Sequence, residues 1–130
     1  MTATPELLGR EGGADGWYVL PVRGTLDRLS AARLVGLVGA RLRMAELGQV
    51  RLRHVAVDLT SADGLTVDGL KGLTQAVELA ARWRVGVHLI VPGAAAARLP
   101  LPVRCALGRY RVFPTVAAAQ LAVDGAVRRA

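Results

Sequence analysis

The sequence contains very few of the residues that several common kinds of functional site require. One cysteine, Cys105, in 130 residues excludes an internal disulfide and fits a reducing compartment. A single cysteine with two histidines is too few for a structural zinc site. Aromatic residues make up 4% of the chain, which is a poor supply for a surface that stacks nucleic-acid bases.

Long apolar runs and a leader pattern are also missing. Arginine interrupts every apolar stretch before it reaches the roughly 18 residues that a membrane helix needs. The first residues show no basic segment followed by an apolar run, which is the pattern of a secretory signal. We therefore expect a cytoplasmic protein with no transmembrane segment.

What the chain does contain is a large apolar fraction and an excess of positive charge. Hydrophobic residues make up 52% and charged residues 21%, which is typical of one packed domain of this length. The net charge is +7, and Lys71 is the only lysine. A basic surface attracts nucleic acid, anionic lipid or an acidic protein. Because no nucleic-acid motif accompanies the arginines, we interpret them as a solvated face and disfavour a nucleic-acid partner.

The first 27 residues predict an arm, a strand and a turn. Residues 1–16 are glycine-rich and acidic, so we expect a flexible arm or a short edge strand there. Residues 17–23 are β-branched and aromatic and predict a strand, in which Pro21 indicates an edge position or a bulge. Residues 24–27 break this pattern, so we predict a turn.

A helix, a buried strand and a loop are predicted next. Ser30 suits the N-cap of a helix with apolar residues at helical spacing, and Gly48 marks its end. Residues 54–59 form a compact apolar run that is typical of a buried central strand. Residues 60–65 predict a loop.

The rest of the chain continues the alternation of helices and strands. Its predicted elements are a helix ending near residues 82–84, a strand over 85–91, a helical turn and a short helix separated by Pro100 and Pro102, a strand over 111–113, and a final helix over 116–127 capped by Thr115. This order predicts a mixed α/β fold, with a largely parallel sheet of four to five strands and about four helices. We expect residues 17–127 to form a single domain.

Two sequence motifs, in this order, resemble those of the STAS domain. GTLD at residues 24–27 is similar to the family's G-x-L-D turn, and VDLTSADGLTVDGL at residues 57–70 is similar to its strand–loop–helix block ending in D-S-S-G-L. The resemblance runs from about Trp17 to Val123. This family occurs in bacterial anti-sigma-factor antagonists and in the cytoplasmic tails of sulphate transporters. The resemblance implies a STAS-like domain that regulates transcription by binding a protein.

The resemblance also implies a phosphorylation switch, and this chain departs from it. In the antagonists, the anti-sigma factor is a kinase that phosphorylates a serine just before the second helix. Aligning the family's Gly-Leu pair with the same pair here puts Asp68 at that position. Three interpretations of Asp68 stay open. It is a helix-start residue whose charge complements the helix dipole, or its carboxylate permanently mimics the phosphate. In the third, the phosphorylated residue is instead Thr60, Ser61 or Thr66. Thr66 also suits the helix N-cap.

The resemblance implies a docking surface formed by this loop and the exposed face of the second helix. Its partner would be an anti-sigma factor of the ATP-binding kinase class, and its output the release of a sigma factor. We expect a monomer or weak dimer with no catalytic residue, metal or cofactor. The docking residues, which we call the docking surface, are Asp63, Gly64, Val67, Gly69, Lys71, Thr74, Gln75 and Glu78.

Other functions stay open as alternatives. The chain would serve as an adaptor subunit of a stress-sensing or lipid-transport assembly, or would bind anionic nucleic acid or lipid through its arginines. An enzyme has the least support, because no nucleophile and base stand in a recognisable arrangement. We interpret His54 and His88 as packing residues and Cys105 as a small buried apolar residue.

Overall fold

Strands and helices alternate along the part of the chain that the structure, a computed structural model, describes: residues 10–11 and 16–129. The strands are β1 (Arg10–Glu11), β2 (Trp17–Pro21), β3 (Gly24–Leu26), β4 (His54–Asp58), β5 (Ala62–Leu65), β6 (Gly86–Ile90) and β7 (Arg111–Phe113). The helices are α1 (Arg28–Glu46), α2 (Val67–Gly72), α3 (Thr74–Ala81), α4 (Gly93–Ala97), α5 (Leu101–Leu107) and α6 (Val116–Arg129). The predicted α/β class is confirmed.

The main sheet has five strands in the order β1-β2-β4-β6-β7. β1 runs antiparallel to β2, and every other neighbouring pair is parallel. β4 therefore lies in the centre, as its apolar run predicts. Pro21 is the last residue of β2, and only Tyr18 and Val19 of this strand pair with β1. The missing N–H of Pro21 therefore costs the sheet no hydrogen bond on that side. Of the residues predicted as an arm, those other than 10, 11 and 16 lie outside the described part of the chain.

A second, two-stranded sheet corrects two of the predictions. Residues 24–27 and 60–65 were expected to form a turn and a loop, but β3 and β5 pair in parallel with Leu26 opposite Leu65. Each strand is too short for an alternating pattern to show in the sequence. What stabilises them is a partner far along the chain and the complete burial of the Leu26 side chain.

The start of α1 corrects a third prediction, since the N-cap is Asp27 rather than Ser30. The backbone N–H of Ser30 donates to Asp27 Oδ1 at 2.9 Å, and that of Asp27 donates to Ser30 Oγ at 2.9 Å. This reciprocal pair is a capping box with serine in the place that glutamate or glutamine usually takes. The Ser30 hydroxyl also lies 3.1 Å from Asp27 Oδ1, and the hydrogen bonds from the backbone N–H and the hydroxyl of Ser30 lower the pKa of Asp27. Gly48 follows the helix with φ +76°, which confirms the predicted end.

The second predicted helix is two helices, α2 and α3, that meet at Leu73. The predicted interruption of the next segment is confirmed at Pro100, which lies between α4 and α5, whereas Pro102 lies within the first turn of α5, where its missing N–H needs no partner. These two breaks raise the number of helices in the described residues from about four to six. Thr115 accepts a hydrogen bond from the Ala118 N–H at 3.0 Å and so caps α6 as predicted.

The two faces of the main sheet bury different clusters. On one face the largest cluster joins strand residues such as Leu20 and Val57 to α1, α2, α3 and α5. On the other face Trp17, Ala56 and Ile90 pack with Ala119 of α6. Among the helices of the described residues, none combines the length and the apolar character that spanning a bilayer requires.

Candidate functional site

The first turn of α2 is tied to β3 through a single carbonyl oxygen. Thr66 donates to the Leu26 carbonyl oxygen twice, from its backbone N–H at 3.0 Å and from its hydroxyl at 2.9 Å. The same hydroxyl accepts a hydrogen bond from the Gly69 N–H at 2.9 Å, so Thr66 is the N-cap that the sequence predicts. The Thr66 hydroxyl is therefore fully used within the fold.

Gly69 brings α2 into direct contact with the backbone of β3. A Cβ on Gly69 would lie 2.6 Å from the Leu26 carbonyl carbon and closer still to its oxygen. Only glycine fits at this distance, because real Cβ atoms do not approach backbone this closely. Gly69 is buried, so within the predicted docking surface it supports the helix and offers a partner no side chain.

Asp68 lies exposed in the first turn of α2. Its carboxylate makes no hydrogen bond or ion pair with another described side chain, and a negative charge here complements the helix dipole. Thr60 and Ser61 are also exposed, and the Thr60 N–H donates to Asp58 Oδ1 at 3.0 Å. Thr66 is half-buried. Thr66 and Asp68 thus lie in the first turn of α2, whereas Thr60 and Ser61 precede β5, at the end of that strand away from α2.

The remaining docking residues lie on β5, α2 and α3. Gly64 and Val67 are half-buried. Thr74, which begins α3, has its hydroxyl 3.1 Å from the Tyr110 hydroxyl, and Tyr110 in turn donates to the carbonyl oxygen of Leu70. The exposed members of the docking surface are Asp63, Lys71, Thr74, Gln75 and Glu78.

A cleft of about 170 Å³, which we call the α2–α5 cleft, opens beside the docking surface. Two of its lining residues correct or extend the sequence interpretation. Cys105 is exposed rather than buried, because α5 buries Val103 and Leu107 and turns the intervening residue outward. Arg109 faces the cleft from the turn after α5. The lining residues are Val67, Leu70, Lys71, Thr74, Pro102, Cys105, Ala106, Arg109 and Tyr110.

The pairing of the strands also brings His54 and His88 together in an aromatic cluster with Trp17 and Phe113, whereas the sequence analysis considered the two histidines separately. His88 Nε2 lies 3.3 Å from His54 Nδ1 across the β4–β6 pair. The Trp17 ring centroid is 4.7 Å from that of His54 and 5.4 Å from that of His88. Phe113 meets His88 edge-on at 5.9 Å. His88 is fully buried and His54 half-buried, so both act as packing residues.

The environment of this cluster favours neutral imidazoles. Burial lowers the pKa of His88 to about 4, and repulsion from His54 and Arg111 adds to the effect. Burial likewise lowers the pKa of His54, with a contribution from Arg53, while Asp124 opposes it. In the part of the chain that the structure describes, no three His, Cys, Asp or Glu side chains gather closely enough to hold a metal ion.

Comparison with known proteins finds similar folds among solved structures but no matching family. No protein-family model matches the chain, and no curated protein matches its sequence. Among solved structures, the chain is similar to the anion transporter murine Solute Carrier 26 family member A9 (Slc26a9) in the inward-facing state. The TM-score is 0.58 at 13% identity over 90% of this chain. It is also similar to the protein of a crystal structure analysis of Mglu, with a TM-score of 0.51 at 17% identity over 71% of this chain.

These similarities concern a part of each larger protein. The chain spans 21% of the length of the transporter chain and 20% of that of Mglu. At such low identities the similarity shows the fold alone, which is a STAS-like mixed α/β fold with a mostly parallel sheet.

Proposed function

We propose that this chain is a non-enzymatic, cytoplasmic protein-binding module that acts as an anti-sigma-factor antagonist. One observation supports the proposal above the others: exposed Asp68 lies at the entrance of α2, beside the exposed side chains of the docking surface. The carbonyl of Leu26 and the close contact of Gly69 hold that entrance rigidly. A partner would therefore meet a preformed surface and would pay little ordering entropy on binding.

The charge at position 68 sets the affinity in this proposal. In antagonists of the STAS family, phosphorylation would add nearly two negative charges at the surface where the kinase docks, which repels the partner. Asp68 carries one negative charge that no phosphatase removes. We propose that it holds the surface in a permanently weakened binding state, and that the residual binding to an anti-sigma kinase releases a sigma factor.

Purified natural protein and anti-sigma kinases from the same genome test this proposal by calorimetry. The informative variants are Asp68→Ser and the isosteric Asp68→Asn, with Glu46→Gln as a control that removes an exposed acid at the far end of α1. We expect both Asp68 variants to bind roughly tenfold more tightly, about 1.4 kcal/mol, and the control to match the natural protein. Only Asp68→Ser should incorporate phosphate. Folded natural protein that binds none of the kinases would refute the proposed function.

The engaged hydroxyl of Thr66 favours a second candidate, a STAS-like adaptor subunit. Because Asp68 accepts no stable phosphate ester and the Thr66 hydroxyl is used within the fold, two of the four switch residues suit a constitutive interaction. An adaptor would co-purify with subunits of a transport or stress-sensing assembly regardless of kinase treatment. Removal of these subunits by kinase and ATP would contradict the adaptor function.

A further inference from the structure

The charged residues that line the α2–α5 cleft, among those that the structure describes, are both positive. Lys71 lies on α2 and Arg109 in the turn after α5, and both line the cleft. None of the described residues that line it is acidic. Among the described residues, neither cation has an ion-pair partner. Two cations that line one concave space raise the local concentration of anions.

The other polar groups of the cleft are already used. The Tyr110 hydroxyl donates to the Leu70 carbonyl oxygen, and the Thr74 hydroxyl lies within hydrogen-bond distance of the Tyr110 hydroxyl. The remaining surface is apolar and includes Val67 and Ala106. A ligand that matches this cleft therefore has an anionic end on a short apolar stem. The volume of about 170 Å³ suits a single side chain.

We infer that the α2–α5 cleft receives an acidic side chain, a glutamate or aspartate, from the docking partner. The inference rests on the proposed function, because Val67, Lys71 and Thr74 belong both to the docking surface and to the lining of the cleft. A carboxylate placed there would bridge Lys71 and Arg109 while its methylene groups contact the apolar wall. Asp68, one turn earlier on α2 and outside the lining, would repel an acid placed out of register.

Cys105 gives the cleft a built-in chemical reporter. It is the only cysteine, it is exposed, and it lines the cleft. Its thiolate displaces iodide from iodoacetate, an anion, and from iodoacetamide, a neutral analogue of nearly the same size, forming one S–C bond and breaking one C–I bond. The thiolate fraction affects both reactions equally, so it cancels in the ratio of the two rate constants.

The first experiment measures the ratio of the iodoacetate to the iodoacetamide rate constant in native and in urea-unfolded protein. Arg104 adjoins Cys105 in the sequence in both states, so the comparison removes its effect. We expect the native ratio to exceed the unfolded ratio about fivefold at low salt. The excess should vanish at 0.5 M salt, where the screening length is about 4 Å. Lys71→Glu and Arg109→Glu should abolish it. Arg33→Glu, an exposed charge reversal on α1 outside the cleft, should retain it. Equal native and unfolded ratios would overturn the inference.

The second experiment measures kinase binding by the same three variants, after circular dichroism shows that each is folded. Lys71→Glu and Arg109→Glu should each weaken binding at least tenfold, and Arg33→Glu less than twofold. A kinase that binds the natural protein and both cleft variants equally well would overturn the inference and leave the proposed function standing. Failure of every kinase to bind the natural protein would overturn the proposed function and, with it, the acidic side chain as occupant.

Discussion

Acidification should destabilise the fold through His88, the fully buried histidine beneath α6. The His88 ring lies between those of Trp17 and Phe113, and its buried Nδ1 has no hydrogen-bond partner among the residues that the structure describes. A proton added to this ring would place a positive charge in an apolar cluster, next to His54 and close to Arg111. Among the described residues, the acidic group that opposes this effect is Asp124, which acts on His54.

The size of the effect follows from the two pKa values. Burial lowers the pKa of His88 to about 4 in the folded protein, against about 6.5 for an unperturbed histidine. Below pH 6.5 the unfolded chain binds a proton that the folded protein does not. The free energy of unfolding is therefore intact above pH 6.5 and falls as the pH decreases towards 4. The full loss is roughly 3 kcal/mol, which is a large share of the 5–15 kcal/mol typical of a domain.

Urea unfolding between pH 7 and pH 4.5, followed by tryptophan fluorescence, measures this loss. A Trp83→Phe background removes the second, 46% exposed tryptophan, so that the emission reports Trp17. In that background we expect the natural His88 protein to lose about 2.5 kcal/mol more than His88→Phe over this range. Carboxylates such as Asp27, whose pKa is also lowered, affect both proteins equally and cancel in the comparison.

The comparison has a result that would refute the reasoning. Parallel loss of stability in the two proteins would mean that His88 titrates alike in the folded and unfolded states. A second variant, His88→Gln, guards against overpacking by the larger phenyl ring, since it is uncharged and smaller. Its stability should also change less with pH than that of the natural protein, even if it is lower at pH 7.

Substitutions of Gly69 and Thr66, each with a control variant, test the attachment of α2 to β3 by urea unfolding at pH 7. Gly69→Ala should cost about 3 kcal/mol, because its Cβ would overlap the Leu26 backbone, whereas Gly36→Ala, with no atom within 4 Å of the new Cβ, should be neutral or stabilising. An unchanged Gly69→Ala would contradict the close contact. Thr66→Ala should lower the free energy of unfolding by about 1–2 kcal/mol, and Thr66→Ser by much less, because serine keeps the capping hydroxyl. Equal losses in the two variants would show that the hydroxyl does not stabilise the turn.

The elements that could be predicted are those whose signal is local. The apolar runs of β4 and β6 identify buried strands because both faces of a central strand are covered. The break at Pro100 follows from the missing N–H of proline. Thr66 and Asp68 are a hydroxyl and a carboxylate at a helix start, where backbone N–H groups need acceptors, so that part of the site also shows in the sequence.

The elements that could not be predicted depend on partners distant in the chain. β3 and β5 exist because Gly24–Leu26 meets Ala62–Leu65, and neither segment carries a pattern of its own. The contact of His54 with His88 depends on the register of two parallel strands. The α2–α5 cleft depends on how α5 approaches α2, and the apolar spacing of α5 alone does not indicate that Cys105 faces outward.

The attachment of α2 to β3 also determines which residues can be modified near the docking surface without disturbing the fold. A phosphate on Thr66 would remove the hydroxyl donor, one of the two that Thr66 directs at the Leu26 carbonyl, and would crowd the Gly69 N–H, so it would disrupt the first turn of α2. A change of charge at Asp68 alters only an exposed side chain. Exposed Thr60 and Ser61 share that freedom. A regulator that acts at the start of α2 and spares the fold therefore has Asp68 available to it and not Thr66, whose hydroxyl is held by hydrogen bonds, while Thr60 and Ser61 offer exposed hydroxyls at the far end of β5.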